Sequence, residues 1–398
     1  MLRIAMVVFS YYPADPRVRR EAEKLNRSEI AVDVICLRGS EEAPVEKFGH
    51  VTAYRVMNAP AKKESFLKYF WSSSLFAIKA FVKLQQLSLK KQYNLVQVHN
   101  MPDFLILVGV IHKMLGRPLI LDLHDLTPEL FESKWGAGKI ALFRPLVRLV
   151  EKIACRFADH LITTSVGFQE RLIERGNSRD KITLVLNTAD DHIFTTRSQR
   201  EWLRITHDVR LLYHGTVARR FGLHIAIEAV YKLQALVPGA KLYIYGKYDP
   251  AYRAELEEMI SRLKLEDRVF VNGFRRQEEI VAIIENSDIG VAPYLSDPFM
   301  DLALSTKTFE YVNMRLPVVA SRLPSLTALF NDASIHYFSP GNAADLANAI
   351  AALCSDPSAR KAYVERAARV YKKFSWPIMG DRYLDLINGM TIRNVKWA

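Results

Sequence analysis

A short polar run leads into a helix-like segment, residues 307–314, and the run consists of Ser305, Thr306 and Lys307. A hydroxyl-rich helix N-terminus offers free backbone N–H groups and the positive end of the helix dipole, which suit a phosphate, and Lys307 adds a full positive charge. Glu310, one turn later, is placed to accept hydrogen bonds from the hydroxyls of a ribose. These residues predict a nucleotide site, although an ordinary surface turn, helix and core strand fit the same pattern.

Polar residues also occupy strand ends in the first half of the chain. Asp15, Pro16 and Arg17 lie in the loop after the first predicted strand, where Asp15 suits a helix N-cap and Pro16 the first helical position. His99 ends one later strand and His124 follows the next. A histidine at a strand end is often only a satisfied polar residue, but two polar clusters at adjacent strand ends favour a functional role.

Residues 61–93 combine basic and apolar side chains in one helix-like stretch. Against the single acidic residue Glu64, the segment carries Lys62, Lys63, Lys68, Lys79, Lys83, Lys90 and Lys91. Its aromatic and aliphatic residues exceed a narrow core stripe, which is typical of a helix that lies on an anionic membrane surface. The segment predicts peripheral membrane contact. The alternative is a long helix that covers the sheet and turns its lysines to solvent.

Composition narrows the classes of protein. The net charge of +12 calls for an anionic partner, and no nucleic-acid-binding module is recognised. Cys36, Cys155 and Cys354 lack metal-ligand spacing, so we interpret them as reduced core thiols of a cytoplasmic protein. No Asp-x-Asp pair occurs, so the sequence offers no acidic metal-binding motif. We expect no secretory leader, because strand-like residues begin at Leu2.

Strand-like runs alternate with helix-like segments throughout, which predicts parallel sheets wrapped by helices. In the first half the strand-like runs are residues 4–9, 32–36, 51–56, 95–99, 119–123, 161–163 and 182–186. In the second half they are residues 210–214, 241–245, 269–271, 289–292, 318–320 and 335–337. The helices expected in the second half are residues 222–236, 251–263, 277–286, 307–314 and 343–353.

The chain is too long for one typical core, at 398 residues. A polar stretch without periodicity, residues 187–196, separates the two series of strands. We therefore predict an α/β protein of two doubly wound Rossmann-like domains, 1–194 and 195–376, that face each other across a cleft. The C-terminal segment 377–398 is expected to pack back on the first domain.

These motifs resemble those of the family-four retaining glycosyltransferases, which adopt the two-domain GT-B architecture, and the similarity runs over almost the whole chain. The Asp15-Pro16-Arg17 loop is similar to that of one branch of the family, in which it replaces a pair of glycines. The resemblance implies that His124 lies near the transferred sugar.

The same resemblance implies where the donor binds. The implied donor contacts are Arg17, Gly215, Thr216, Arg219, Gly246, Phe274, Ser305, Thr306 and Glu310, and the implied catalytic residues are His124, Arg220 and Lys307. Of the adjacent arginines, we prefer Arg220 as the phosphate ligand because it precedes Phe221. Phe274 would lie beside the backbone groups that read the nucleobase, or else belong to the core.

The chain also departs from the family pattern within the predicted donor site. Typical members carry a pair of glutamates; Glu310 matches the second, but Leu302 occupies the place of the first. The sugar-facing acidic role is therefore empty or taken by Asp297 or Asp301. Thr216 also stands where relatives have an arginine.

The resemblance implies transfer of a hexosyl or N-acetylhexosaminyl group from a nucleotide-diphosphate sugar, with retention of configuration. No metal or other cofactor is expected, because fixed cations and the helix start would stabilise the leaving diphosphate. We expect a UDP-sugar rather than a GDP-sugar as donor, a glycan or lipid-linked acceptor, and no nucleic-acid partner.

We further expect a cytoplasmic protein, peripheral on the inner face of the cytoplasmic membrane, that builds a cell-surface polysaccharide. Two alternatives remain at this point. One is a nucleotide-sugar epimerase of the same fold, and the other is a catalytically silent binding or assembly protein, which Leu302 favours.

Overall fold

The computed structural model describes residues 1–58, 66–136, 138, 143–196 and 208–395. It divides into two compact units: the first contains Met1–Leu186 and Met379–Ala398, and the second contains Asn187–Ile378. The division therefore falls earlier than residue 194, where the sequence places it. Phe194 is buried, and its carbonyl accepts a hydrogen bond from Asn313 Nδ2 at 2.6 Å, which fixes the end of the expected linker within the second unit.

The first unit is built on an eight-stranded sheet. Its strands are β1 (Arg3–Tyr11), β2 (Ala31–Arg38), β3 (Val45–Phe48), β4 (Val51–Asn58), β5 (Leu95–His99), β6 (Leu119–Leu123), β7 (His160–Thr163) and β8 (Ile182–Leu184). Their order is β3-β4-β2-β1-β5-β6-β7-β8, and every pairing is parallel except that of β3 with β4. The sequence missed β3 because this edge strand is short, carries two charges and is largely exposed, so it lacks the apolar run of a buried strand.

The second unit is built on a six-stranded sheet in which every pairing is parallel. Its strands are β9 (Arg210–His214), β10 (Lys241–Tyr245), β11 (Val269–Asn272), β12 (Ile289–Ala292), β13 (Val318–Ser321) and β14 (His336–Phe338). Their order is β11-β10-β9-β12-β13-β14. These strands are short, mostly apolar and mostly buried, as expected for a parallel sheet covered by helices.

Helices cover both sheets. In the first half they are α1 (Pro16–Arg27), α2 (Phe66–Ser88), α3 (Val110–Met114), α4 (Thr127–Trp135), α5 (Arg144–Phe157) and α6 (Val166–Glu174). In the second half they are α7 (Leu223–Leu233), α8 (Pro250–Arg262), α9 (Gln277–Glu285), α10 (Thr306–Asn313), α11 (Pro324–Thr327), α12 (Ala343–Ser355), α13 (Pro357–Tyr371) and α14 (Trp376–Val395). Among the helices that the structure describes, none has the length and apolar character needed to cross a bilayer.

Both sheets reverse their strand order beside their first strand. In the first unit β1 lies between β2 and β5, and in the second unit β9 lies between β10 and β12. The carboxyl ends of strands at such a reversal form a crevice in which open α/β sheets bind their ligands. The prediction of two doubly wound Rossmann-like units is confirmed, and the reversals show where each unit would hold a ligand.

Candidate active site

Two glycines let the loops after β9 and β10 approach each other in the second unit. A Cβ atom on Gly246 would lie 1.7 Å from the carbonyl oxygen of Gly215, and a Cβ on Gly215 would lie 2.0 Å from Cε of Lys307. Gly215 also has a φ of +116°, a conformation that side chains of L-residues disfavour. The absence of a side chain at Gly246 therefore lets the two loop backbones come close together. The absence of one at Gly215 leaves room for the Lys307 side chain.

Lys307 lies across this glycine and is surrounded by aromatic rings. Its Nζ is 4.9 Å from the ring centre of Phe221, 5.5 Å from that of Tyr213 and 5.8 Å from that of Tyr294. The side chain is half-buried, so Lys307 is not a fully solvated surface residue. Aromatic faces stabilise a cation while excluding water from it, which leaves its charge available to a ligand.

Burial lowers the pKa of Lys307 to about 8; Glu310 opposes this shift and Arg220 adds to it. The depressed pKa means that the negative charge near Lys307, including that of Glu310, does not offset its burial. An incoming anion would add negative charge and raise the pKa again. The pocket therefore suits a phosphate more than a neutral ligand.

His214, the last residue of β9, is a site residue that the sequence reasoning missed. Its Nε2 lies 3.2 Å from Oε2 of Glu310, and both side chains are buried. Burial, followed by the charge of Lys307, lowers the pKa of His214 to about 3, so the imidazole is neutral at neutral pH. Its position at a strand end, like that of His99, was the available signal.

The structure separates the two arginines of the loop after β9. The Arg219 side chain is 64% exposed and pairs with Glu255 on α8. The guanidinium carbon of Arg220 lies 5.2 Å from the ring centre of Phe221 and 5.7 Å from that of Phe299. Arg220 therefore lies close enough to Lys307 to lower its pKa, whereas Arg219 pairs with Glu255. That Arg220 binds the phosphate stays a prediction.

The start of α10 is arranged differently from a standard cap. Ser305 is the N-cap residue by position, but its hydroxyl makes no capping hydrogen bond and instead lies 2.6 Å from the hydroxyl of Tyr294. Thr306 begins the helix, and Glu310 follows one turn later as a buried side chain. The hydroxyl of Ser305 thus fixes the loop after β12 and does not occupy the helix N-terminus.

Two predicted donor contacts lie at the exposed rim of the unit. Phe274 follows β11 and is 58% exposed, so the core interpretation of this residue is wrong; the Nζ of Lys247 lies 4.6 Å from its ring centre. Thr216 is exposed, and its carbonyl accepts a hydrogen bond from the Tyr213 hydroxyl at 2.6 Å. An exposed aromatic ring beside a strand end can stack on a planar base.

The acidic side chains near Leu302 are committed to their own loop. Asp297 accepts hydrogen bonds from the backbone N–H groups of Phe299 and Met300, both at 2.8 Å. Asp301 accepts one from the Ser296 hydroxyl at 3.0 Å. Both carboxylates therefore have local structural roles that account for their positions.

In the first unit, three side chains at the carboxyl ends of β5 and β6 form a tight triangle. His99 Nδ1 lies 2.9 Å from Asp122 Oδ2 and 3.0 Å from His124 Nε2, which is itself 3.3 Å from Asp122 Oδ2. All three are buried, and the two imidazole rings are stacked. Burial lowers the pKa of His124 to about 3 against the opposing effect of Asp122, so the imidazole is neutral and able to accept or donate one hydrogen bond.

A chain of buried polar groups stands behind this triangle. Gln97 Nε2 donates to Glu21 Oε2 at 2.7 Å, and the hydroxyl of Tyr383 on α14 donates to Gln97 Oε1 at 2.7 Å. Burial, then the neighbouring Asp122, raises the pKa of Glu21 well above its ordinary value. A protonated Glu21 beside an ionised Asp122 accounts for two buried carboxyl groups in contact.

Arg17 pairs with Asp15 through Nη2 and Oδ2 at 3.0 Å, and Asp15 also caps α1 by accepting the backbone N–H of Arg17 at 3.1 Å. The N-cap interpretation of Asp15 is confirmed, with Pro16 at the first helical position. The positive charge of Arg17 is therefore already balanced within the first unit.

The triangle is also the arrangement among the described residues that could hold a metal ion. Its candidate ligand atoms, on His99, Asp122 and His124, lie within 4.8 Å of one another. The distances between them are those of direct hydrogen bonds, which already explain why the three groups are together. The prediction that the protein uses no metal stays a prediction.

Two Rossmann-like units in one chain, with a lysine, a carboxylate and paired glycines at the strand reversal of the second, have the architecture of a GT-B glycosyltransferase. The chain belongs to this family: residues 14–188 match the glycosyl transferase 4-like domain, and residues 208–356 match the glycosyl transferases group 1 domain. The first match covers most of the first structural unit and ends two residues beyond Leu186, and the second match lies within the second unit.

Curated relatives agree with this assignment. The chain is 24% identical over 287 residues to alpha-D-kanosaminyltransferase of Streptomyces kanamyceticus, covering 69% of this chain and 71% of the relative. It is 25% identical over 396 residues to an uncharacterized glycosyltransferase of Methanocaldococcus jannaschii, covering 94% and 95% of the two chains. Among solved structures, Anabaena HepE in complex with UDP-glucose superposes with a TM-score of 0.71 at 20% identity, over 98% of this chain and all of that chain.

Proposed function

We propose that this glycosyltransferase moves a hexosyl or N-acetylhexosaminyl group from a UDP-sugar to a glycan or lipid-linked acceptor, with retention of configuration and without a metal ion. The observation that carries the proposal is the placement of Lys307 across Gly215, with Glu310 and His214 on the same strand-end surface. That cluster offers one cation for a diphosphate and one buried carboxylate for ribose hydroxyls.

The chemistry rests on stabilising negative charge as the diphosphate leaves. Breaking the bond between the anomeric carbon and the phosphate oxygen places charge on that oxygen, and fixed donors in a water-poor site lower this barrier most. Lys307 is such a donor, because three aromatic rings restrict its hydration. Removing one fixed donor of this kind costs about 3 kcal/mol in the barrier.

Retention follows from the family analogy, in which the departing phosphate helps to deprotonate the acceptor hydroxyl. The neutral His124 would orient the transferred sugar by hydrogen bonding, because its lowered pKa removes it as a cation. The preference for uridine is supported by the neighbour that was solved with UDP-glucose. The exposed ring of Phe274 would stack on that base.

Membrane contact is proposed for α2, within the expected segment 61–93; Lys62 and Lys63 lie outside the described residues. Apolar side chains on α2 remain exposed, led by Trp71 at 72% and Ile78 at 63%. Lys68 and Lys79 are exposed on the same helix, which contains no acidic residue. This composition supports an acceptor delivered at an anionic lipid surface in the synthesis of a cell-surface polysaccharide.

The test is a panel of nucleotide sugars assayed for donor hydrolysis without acceptor, with and without EDTA. We expect hydrolysis of one UDP-sugar that EDTA leaves intact, and a fall of roughly a hundredfold in Lys307→Ala, the equivalent of about 3 kcal/mol. Lys232→Ala, on an exposed face of α7, is the matched control.

The other candidate functions give distinct results in the same assay. Nucleotide binding without hydrolysis would identify a silent binding protein, and conversion to an isomeric nucleotide sugar would identify an epimerase. Full activity of Lys307→Ala, or loss of activity in EDTA, would refute the metal-free scheme.

A further inference from the structure

Helix α5 presents an apolar stripe that the protein leaves uncovered. Leu146, Leu149 and Ile153 recur at helical spacing and are exposed by 58%, 52% and 51%. The opposite side of α5 carries Ala154 and Cys155, which are buried in the first unit. The stripe therefore faces outward because the helix already has a separate core face.

A basic stripe runs beside the apolar one. Arg148, Lys152 and Arg156 are exposed at spacings of four residues, and within the described part of the chain none of them forms an ion pair. The acidic residue of the helix, Glu151, is buried and held by Arg175, whose Nη1 lies 2.6 Å from its Oε1. The outward half of α5 is thus apolar along one side and purely cationic along the other.

Residues 103–115 link α5 to α2. The turn Asp103–Gly109 packs against both α2 and α5, and the rings of Phe70 and Phe104 lie 5.9 Å apart at one of these contacts. Met114, the last residue of α3, and Leu115 after it are exposed by 81% and 70%. Within α2, residues 103–115 and α5, the acidic side chains are Asp103 and Glu151, and both are buried.

We propose that α5 and residues 103–115 extend the α2 contact into one broad face that binds an anionic lipid bilayer. The proposal rests on the function proposed above, in which the acceptor is delivered at a lipid surface. Parallel apolar and basic stripes match a bilayer, since apolar side chains enter the acyl boundary while cations meet phosphate headgroups. A second copy of the chain fits worse, because a symmetric pairing would oppose two basic stripes.

The first test measures binding of the full chain to vesicles by flotation. The vesicles contain phosphatidylcholine with phosphatidylglycerol, or phosphatidylcholine alone. Because each cation near an anionic surface contributes about fivefold, Arg148→Gln, Lys152→Gln and Arg156→Gln together should weaken binding on the order of a hundredfold. The control removes the same charge from exposed sites of the second unit, with Lys232→Gln, Arg262→Gln and Lys361→Gln. Equal losses in the two triple variants would overturn the assignment of α5, since general charge would then explain binding.

The second test reports insertion directly. The native cysteines are buried, so a single Leu149→Cys variant accepts an environment-sensitive fluorophore at one site. We expect a blue shift on adding anionic vesicles to labelled Leu149→Cys and none for Tyr231→Cys, whose parent side chain is 50% exposed on α7. A blue shift that appears without vesicles and rises with protein concentration would instead identify a contact between copies of the chain.

Measuring turnover distinguishes failure of the lipid-binding face from failure of the proposed glycosyltransferase function. Transfer to a water-soluble acceptor should be unchanged in the α5 variants, because their substituted residues are exposed and belong neither to the donor cluster nor to the triangle of His99, Asp122 and His124. Loss of vesicle binding with full turnover supports the lipid-binding face. Vesicle binding of the native chain without any glycosyl transfer would defeat the proposed function and leave the lipid-binding face standing.

Discussion

Lys307 shows how one side chain acquires a role from its surroundings. Burial depresses its pKa to about 8, so in the free protein it loses its proton as the pH rises through that value. A bound diphosphate favours the charged form, and binding is therefore coupled to proton uptake above pH about 8.

We predict that affinity for UDP falls as the pH rises past about 8 in the native chain. The fall should approach tenfold per pH unit at high pH, because one proton is linked to binding. Lys307→Arg keeps its charge throughout this range and should show a flat profile at its own affinity. Calorimetric titrations with UDP on either side of this pH give the answer, and identical profiles for the two proteins would remove Lys307 from the diphosphate site.

Glu310 is the second residue whose role can be tested alone. Glu310→Gln keeps the size of the side chain but removes the charged acceptor, so affinity for free UDP should fall by about 1.5–3 kcal/mol, the scale of a charge-assisted hydrogen bond. Glu257→Gln, on the exposed face of α8, serves as the control. Unchanged UDP affinity in Glu310→Gln would restrict the carboxylate to its contact with His214.

At the scale of elements, the loops after β9 and β10 depend on Gly215 and Gly246 for different reasons. Gly341, after β14, is a comparison: like Gly215 it has a positive φ (+78° against +116°), but a Cβ on Gly341 would meet nothing within 4 Å. A Cβ on Gly215 meets the flexible end of Lys307, whereas one on Gly246 meets the backbone carbonyl of Gly215.

We predict three distinct outcomes for substitution of these glycines by alanine. Gly341→Ala should cost about 1–2 kcal/mol of stability through backbone strain alone and leave UDP binding intact. Gly215→Ala should cost a similar amount but weaken UDP binding, because Lys307 must swing aside. Gly246→Ala should be the least stable of the three, because its Cβ would clash with the backbone carbonyl of Gly215, which cannot move aside as a flexible side chain can. Urea unfolding and calorimetry distinguish the three, and normal UDP affinity in Gly215→Ala would contradict this account.

At the scale of the whole molecule, the C-terminal helix α14 contributes residues to the core of the first unit. Met379, Tyr383 and Ile387 of α14 are fully buried in the first unit, and Tyr383 reaches Gln97 on β5. The C-terminal residues therefore belong to the core of a unit whose other residues precede position 187.

We predict that Tyr383→Ala destabilises the first unit by about 3–5 kcal/mol, the cost of emptying a large buried aromatic site. Tyr383→Phe should cost only about 1 kcal/mol, because it removes a hydrogen bond and keeps the ring. UDP binding by the second unit should survive both changes, and Tyr231→Ala, at an exposed aromatic residue, should have little effect on unfolding. A loss of UDP affinity equal to that of Lys307→Ala would show that the two units do not behave independently.

The sequence alone determined the strand series, the doubly wound class and the motif positions. These features depend on local signals, because a buried parallel strand appears as a short apolar run and a loop motif as a set of neighbouring residue types. It missed β3, whose charged edge residues carry no such signal. It also left open which arginine faces the site and whether Phe274 is buried, because both depend on neighbours distant in the chain.

Tertiary structure decided the properties that arise when separate segments meet. The depressed pKa of Lys307 requires burial by residues distant in the chain, the neutral His214 requires burial beside Lys307, and the triangle of His99, Asp122 and His124 requires β5 beside β6. The outward stripes of α5 became visible only once its core face was known. Local patterns encode which elements form, whereas burial, charge and exposure are set by what those elements pack against.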